Sequence, residues 1–169
     1  MSFRINNYDE DVFFLNNMEF VKFPEQNGAI PMVLRSYYDD LIFNLHDNNN
    51  FAESELLRNL QSCLLPRLET DIGADNLVEF ETDLTATDGD NLYGIVKSKI
   101  SLPTLDFYCK HRDLFQKCTK YFWWTATPYD TTSSRVQCMD PYGDGYARYC
   151  DEFDGVRPMI MVKASVFNR

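Results

Sequence analysis

The residues best suited to catalysis or metal binding lie close together in the second half of the chain, where Cys109 and His111 are followed by Cys118. A structural zinc site uses four well-spaced cysteine or histidine ligands, and this segment offers three at loose spacing. A cysteine–histidine nucleophile pair also needs a third group that orients the histidine, and the sequence identifies none. Motifs of phosphate-binding loops, dinucleotide-binding folds, serine hydrolases and zinc proteases are absent from the sequence. We therefore expect a protein that is not an enzyme and uses no cofactor, with an enzyme built on these three residues as an alternative.

Carboxylates form the second group of chemically active side chains. The 169 residues include 26 Asp or Glu and 16 Lys or Arg, which gives a formal net charge of −10. Residues 68–96 contain no Lys or Arg. The same segment contains eight acidic residues, namely Glu69, Asp71, Asp75, Glu79, Glu81, Asp83, Asp88 and Asp90. Direct binding to nucleic acid or to an anionic membrane is not expected, because both require an excess of Lys and Arg.

Part of the acidic segment has the alternating pattern of a β-strand. Apolar and acidic side chains alternate here as Val78, Glu79, Phe80, Glu81, Asp83 and Leu84. A strand with this pattern buries one face and exposes the carboxylates on the other. Asp88 and Asp90 then follow in a loop that lacks the regular acidic spacing and the closing glutamate of a calcium site. We expect the acidic residues to bind a partner, and we expect no metal site.

The sequence favours a cytoplasmic protein. No apolar run is long enough to span a bilayer, and residues 1–7 are too polar for a signal peptide. The five cysteines, an odd number, are expected to be reduced thiols.

Turn and capping signals predict a hairpin and two helices. The hairpin covers residues 18–35, with its turn at Asn27-Gly28, a dipeptide that favours tight hairpin turns. The first helix is predicted to begin after Asn50 and to end at Pro66. Its buried face comprises Leu56, Leu57, Leu60 and Leu64. A second helix is predicted to begin at Ser101, with Leu105, Tyr108 and Cys109 facing inward.

The last third of the chain is predicted to form an antiparallel sheet. Its strands cover residues 121–127, 135–139, 146–150 and 156–166. A hairpin that turns at residues 143–145 would place Cys138 opposite Cys150, and both thiols are expected to be free in a reducing cytosol. Together these elements predict an α+β fold in a single domain over residues 1–169, with its core over residues 18–166.

Four residues in this sheet are expected to have structural roles. Trp123 and Trp124 are consecutive in a predicted strand, so their rings point to opposite faces and at least one should lie in the core. The other ring could instead stack on a ligand. Arg157, which precedes Pro158, is expected to make a buried ion pair or a carbonyl contact that holds the last strand.

Two motifs stand out in this region, Trp123-Trp124-Thr125-Ala126-Thr127-Pro128 and Gly155-Val156-Arg157-Pro158-Met159-Ile160-Met161-Val162. They resemble an uncharacterised family of bacterial and phage domains with a C-type-lectin-like fold related to sulfatase-modifying factors. In the family they read Trp-Trp-Leu-Arg-Ser-Pro and Gly-Val-Arg-Pro-Ala-Leu, so this chain lacks the family's arginine between its tryptophans and proline. The resemblance covers most of residues 18–163. It implies a mixed, mainly antiparallel sheet with two helices and a loop-rich binding face, and it implies no particular activity.

Two classes of function follow. In the first, the protein is a non-enzymatic acidic module, encoded by a phage or mobile element, that inhibits a host protein with a positively charged nucleic-acid-binding surface. Anti-CRISPR and other anti-defence proteins are of this type. Same-face residues of a strand lie about 6.7 Å apart and phosphates rise about 3.4 Å per nucleotide, so Glu79, Glu81 and Asp83 would match about every second phosphate. In the alternative, a lectin-like domain binds a glycan or surface protein through the aromatic loops of residues 121–129 and 142–149.

Overall fold

Short strands and two helical regions make this an α+β protein. The computed structural model describes residues 4–6, 9–115 and 122–168. The strands are β1 (Arg4–Asn6), β2 (Asp9–Leu15), β3 (Met18–Lys22), β4 (Ala29–Leu34), β5 (Asp40–Ile42), β6 (Phe80–Asp83), β7 (Ile95–Ser98), β8 (Ile100–Ser101), β9 (Trp123–Pro128), β10 (Arg135–Met139), β11 (Gly145–Tyr149), β12 (Phe153–Gly155) and β13 (Met159–Lys163). The α-helices are α1 (Glu55–Asn59), α2 (Leu65–Ile72), α3 (Leu105–Lys110) and α4 (Arg112–Phe115).

The strands form three sheets. The first has the order β1-β2-β3-β4-β13-β8, and all its neighbours are antiparallel. The second has the order β11-β10-β9-β12-β5, in which β12 and β9 run parallel. The third is a two-stranded ribbon of β6 and β7. Among the described helices, none is long and apolar enough to cross a membrane.

The predicted N-terminal hairpin is confirmed. Strands β3 and β4 pair antiparallel, and Gln26 and Ala29 close the turn with reciprocal main-chain hydrogen bonds of 2.8 and 3.0 Å. Asn27 and Gly28 both have positive φ, at 50° and 81°. This is the backbone geometry that makes an Asn-Gly pair favourable in a two-residue hairpin turn.

The first helical region begins where the sequence predicts and continues past the predicted end. The side chain of Asn50 accepts a hydrogen bond from the amide of Ala52, and the four predicted leucines are buried. The helix then runs through Pro66 to Ile72, so the prediction that Pro66 ends it is wrong. A π-helical segment, Leu60–Leu64, accounts for this, because the amide of Leu65 bonds the carbonyl five residues back and Pro66 falls in the first turn of α2. Proline is tolerated there, since a first-turn amide needs no helical partner.

The predicted start of the second helical region at Ser101 is also wrong. Ser101 belongs to β8, where it pairs with Met159, and its buried hydroxyl lies 2.8 Å from that of Thr82. Helix α3 begins after Thr104, whose side chain accepts a hydrogen bond from the amide of Phe107. Cys109 was expected to face inward and is exposed. Pairing with β13 places Ser101 in a strand rather than at a helix start, and a local capping pattern cannot reveal such pairing.

The C-terminal hairpin forms with a register different from the predicted one. Cys138 lies opposite Tyr146, and both Cys138 and Cys150 are free thiols. The reason is Asp140, whose carboxylate accepts hydrogen bonds from the amides of Tyr142 (2.9 Å) and Asp144 (2.8 Å). The turn therefore closes around residues 141–143. Cys150 follows the end of β11, and its thiol donates to the carbonyl oxygen of His46.

The predicted last strand over residues 156–166 is shorter than expected, and a separate strand precedes it. Residues 153–155 form β12 of the second sheet, and residues 159–163 form β13 of the first sheet. Residues 156–158 connect the two sheets, and a 3₁₀ helix, Ala164–Asn168, follows β13.

The first sheet is buried on both faces. Alternate residues along its strands belong to two apolar clusters, so Phe20 and Met32 contribute to one cluster while Val21 and Val33 contribute to the other. The larger cluster contains the leucines of α1 and α2. The smaller one contains Tyr108 of α3 and Phe115 of α4 as well as Trp123. The α3 region is thus docked on this sheet, next to the ribbon of β6 and β7.

Candidate partner-binding site

Three acidic residues, two in β6 and one immediately before it, form a compact row, called here the β6 row. Glu79, Glu81 and Asp83 are exposed, whereas Thr82 and Leu84 are buried and Phe80 is half-buried. The predicted alternation is confirmed, because successive side chains of a strand point to opposite faces. The amide and hydroxyl of Thr85 both donate to the Asp83 carboxylate and hold its pKa below the ordinary value. Asp83 therefore carries full negative charge at neutral pH.

Strand β7 places one positive charge next to this row. Lys97 lies opposite Glu81 in the ribbon, with 3.7 Å between the ammonium and carboxylate groups. Both side chains are more than half exposed, so this ion pair adds little stability and leaves Glu81 accessible. Lys99 donates to the carbonyl oxygen of Ala74. Glu79 has no hydrogen bond or ion pair within the described residues.

The other predicted acidic residues lie on different elements. Glu69 and Asp71 belong to α2, and Asp75 belongs to the 3₁₀ turn Ala74–Asn76. Asp71 is half-buried and accepts a hydrogen bond from the amide of Asn16. Its carboxylate is therefore engaged within the fold rather than presented to a partner.

Asp88 and Asp90 lie in the loop that joins β6 to β7. Asp88 accepts a hydrogen bond from the amide of Asp90, and Asp90 accepts from the amide of Leu92 and the hydroxyl of Thr131. These contacts fold the loop on itself and tie it to the β9–β10 connection. The described part of the chain contains no group of three or more His, Cys, Asp or Glu side chains placed to hold a metal ion.

A groove of about 660 Å³ runs between β6 and α3. All four residues of β6 line it, and no residue of β7 does. From α3, the lining includes Leu105, Asp106 and Cys109. Its apolar part includes Leu102, Met159 and Met161. Sequence inspection did not connect α3 with the acidic strand, because residues 80–83 and 105–110 are brought together only by the packing of both on the first sheet.

The cysteine–histidine segment forms part of this groove. The ring of His111 contacts those of Phe107 and Phe23, with centroid distances of 4.5 and 5.5 Å. Burial, together with the charge of Lys110, lowers the pKa of His111. Cys109 is exposed and accepts a weak hydrogen bond from Arg112, and Cys118 lies outside the described residues. The described contacts of the His111 ring are thus with aromatic rings.

Trp123 and Trp124 are both buried, on opposite sides of β9. The indole N–H of Trp124 donates to the carbonyl oxygen of Leu41 at 2.8 Å. Trp123 stacks on Phe115, with ring centroids 5.5 Å apart. Neither ring is therefore available for stacking on a ligand, since both are almost fully enclosed.

Arg157 and Pro158 join the two sheets. The Arg157 side chain is 2% exposed, and its Nε donates to the carbonyl oxygen of Leu34. Its guanidinium lies 4.8 Å from the centroid of the Trp123 ring. The amide of Leu34 in turn donates to the carbonyl oxygen of Pro158. These contacts hold the start of the last strand against β4.

The aromatic loops present a second exposed surface. Tyr142 is 90% exposed and Phe153 is 70% exposed, and Tyr146 and Tyr149 on the edge strand β11 are about half exposed. Tyr121 of the first predicted loop lies outside the described residues.

Comparison of the chain with protein-family models, with curated proteins and with solved structures finds no match. The lectin-like resemblance accordingly stays a prediction. The α+β class is established by the strands and helices themselves.

Proposed function

We propose that this protein is a non-enzymatic acidic module that binds a host protein at its positively charged nucleic-acid-binding surface and so keeps nucleic acid from that surface. Anti-CRISPR and other anti-defence inhibitors encoded by phages or mobile elements act in this manner, and the host cytosol is the proposed place of action.

The observation that carries the proposal is the row of three exposed carboxylates on one face at β6. Residues two apart on a strand are separated by about 6.7 Å, close to twice the rise of about 3.4 Å per phosphate along one DNA strand. A basic surface arranged for phosphates can therefore meet Glu79, Glu81 and Asp83 at about every second phosphate position.

The charge of the whole molecule supports the same function. The formal net charge is −10. A charge of this size attracts a basic partner over distances comparable to the Debye length, and the attraction falls as salt is added. The proposed complex should thus form fast and depend strongly on ionic strength.

The test is binding to purified CRISPR effector nucleases and other basic nucleic-acid-binding enzymes of the host, each with and without bound nucleic acid. Affinity should fall steeply between about 50 mM and 200 mM salt, and saturating nucleic acid should abolish it. The variant Glu79→Ser, Glu81→Ser, Asp83→Ser should bind at least about tenfold more weakly, since each carboxylate lost is expected to cost a fraction of a kcal/mol or more.

A matched control distinguishes the effect of the β6 row on affinity from the effect of net charge. Glu10, Asp47 and Asp151 are exposed and lie outside β6 and the residues that line its groove, so their triple serine variant has the same net charge as the β6 variant. The control should retain nearly all of the affinity. Equal binding by the β6 variant and the parent protein, or equal loss in both triple variants, would contradict a local charge-mimicking site.

A second candidate function rests on the exposed aromatic residues of β11 and its neighbours. Tyr142, Tyr146, Tyr149 and Phe153 are suited to stacking on a sugar or to an apolar protein surface. Binding of that kind depends little on salt. Glycan-array binding that is lost in Tyr142→Ser with Phe153→Ser, and retained in the β6 variant, would favour this function over the first.

A further inference from the structure

The outer edge of β6 has main-chain groups that face away from the ribbon. In the register of β6 and β7, the amide of Leu84 donates to the carbonyl oxygen of Gly94 at 2.9 Å. Main-chain groups of alternate residues point to the same neighbour in an antiparallel pair. Those of Phe80 and Thr82 therefore point to β7, and those of Glu81 and Asp83 point to the opposite edge. Within the part of the chain that the structure describes, no strand pairs with that edge.

The groove lies along this edge rather than over a face of the ribbon. Its lining includes Phe80 and Thr82, whose side chains point inward, and Glu81 and Asp83, whose side chains point outward. No residue of β7 contributes to it. A space that touches both faces of one strand, and none of the next strand, must border the free edge of the first strand.

The lining of the groove specifies the chemistry of an occupant. Glu81 and Asp83 supply negative charge along β6, and the ion pair of Asp106 with Lys110 on α3, at 2.9 Å, adds no net charge to the lining. Phe80, Leu105 and Phe107 are half-buried and supply apolar surface. An extended segment with Lys or Arg at alternate positions and apolar residues between them matches both parts, because the side chains of a strand alternate between its two faces.

We propose that the free edge of β6 binds an extended basic segment of the partner protein as an added antiparallel strand. Addition of a strand to a sheet edge provides affinity through main-chain hydrogen bonds and specificity through alternate side chains. The residues opposite Glu81 and Asp83 exchange hydrogen bonds with them and place their own side chains on the same face as these carboxylates. This mode of binding rests on the proposed function and adds to it the mechanism of recognition.

The test uses two synthetic peptides of alternating lysine and valine that differ only in backbone methylation. In one peptide the lysine amides are N-methylated, and in the other the valine amides are. Both have the same charge and composition. In the proposed arrangement the lysine amides point to β6 and the valine amides point away from it. Methylation of lysine should therefore weaken binding by about tenfold or more, through the loss of main-chain hydrogen bonds, relative to methylation of valine.

Two measurements on the protein complete the test. Binding of the valine-methylated peptide should slow amide hydrogen exchange at Glu81 and Asp83. Cys109→Trp, which fills the groove from α3 without a change in charge, should weaken this binding by about tenfold or more. Cys63→Trp is the matched control, since Cys63 is also an exposed free cysteine but lies outside the groove. It should bind as the parent protein does.

The outcomes distinguish main-chain pairing at the edge of β6 from binding by charge alone. Equal binding by the two methylated peptides, or a greater loss from valine methylation, would overturn the proposal of an added strand. If both peptides bind in a salt-dependent way, the acidic module of the proposed function would still stand. Equal binding by the two tryptophan variants also overturns it. Absence of binding by either peptide overturns the added strand as well, and the triple serine variant then tests the proposed function separately.

Discussion

Asn49 offers a direct test of how the acidic loop is held in place. Its side chain is fully buried and makes three hydrogen bonds. The amide nitrogen donates to the carbonyl oxygens of Asp130 (2.6 Å) and Arg135 (2.8 Å), and the amide oxygen accepts from the hydroxyl of Tyr93 (2.7 Å). One neutral side chain thereby joins the start of the first helical region, the β9–β10 connection and the β6–β7 loop.

Replacement of Asn49 by alanine removes all three hydrogen bonds, although the carbonyl oxygen of Arg135 keeps its bond from the amide of Tyr129. At about 0.5–1.5 kcal/mol for each bond, the free energy of unfolding should fall by about 2–4 kcal/mol. Tyr93→Phe removes one of the three and should cost about 1 kcal/mol. The two substitutions share a bond, so their effects should add to more than the effect of the double variant.

The assay is urea unfolding, monitored by tryptophan fluorescence, with a linear extrapolation to zero denaturant. Asn91→Ala is the control, because Asn91 is exposed in the same loop and surface substitutions usually change stability by less than about 0.5 kcal/mol. A cost below about 1 kcal/mol for Asn49→Ala, or a strictly additive double variant, would refute the reasoning.

Three further predictions concern the core, the groove and metal ions. Trp124→Ala should reduce the free energy of unfolding by about 3–5 kcal/mol, and Trp123→Ala should have an effect of similar size because both rings are buried. A small change in melting temperature for either variant would contradict the buried position of that ring. Burial, with the nearby charge of Lys110, lowers the pKa of His111 below its ordinary value of about 6.5, so the unfolded chain takes up a proton first as pH falls. Stability should therefore decline below about pH 6.5, and His111→Phe should make stability less dependent on pH in that window; an unchanged pH profile would contradict the lowered pKa. Addition of EDTA should leave the melting temperature unchanged, and a decrease would indicate a metal site.

Features that depend on neighbouring residues could be predicted from the sequence. The turn at Asn27-Gly28 forms as expected because positive φ at both positions is a local preference of these two residues. The exposed row on β6 follows from the strand period of two, and the buried leucines of the first helical region follow from the helical period. In each case a short stretch of chain contains all the information that the structure uses.

Features that depend on pairing with a distant strand, or on a local hydrogen bond outside the usual pattern, could not be predicted in this way. Ser101 resembles a helix cap, but pairing of β8 with β13 makes it part of a strand. Pro66 resembles a helix end, but the π-helical segment before it lets the helix continue. The C-terminal hairpin contains two glycines that suggest one turn, while hydrogen bonds from two amides to Asp140 produce another.

For the candidate site, the sequence by itself determined which side chains are acidic and that three of them share one face of a strand. Only the tertiary structure decided that Lys97 lies opposite Glu81 and that α3 lies beside the free edge of β6. The physical reason is that charge and alternation are properties of a local segment, whereas a groove forms between elements far apart in the chain. Its position is set by the packing of the ribbon and α3 on the first sheet, which buries apolar side chains from the whole sequence at once.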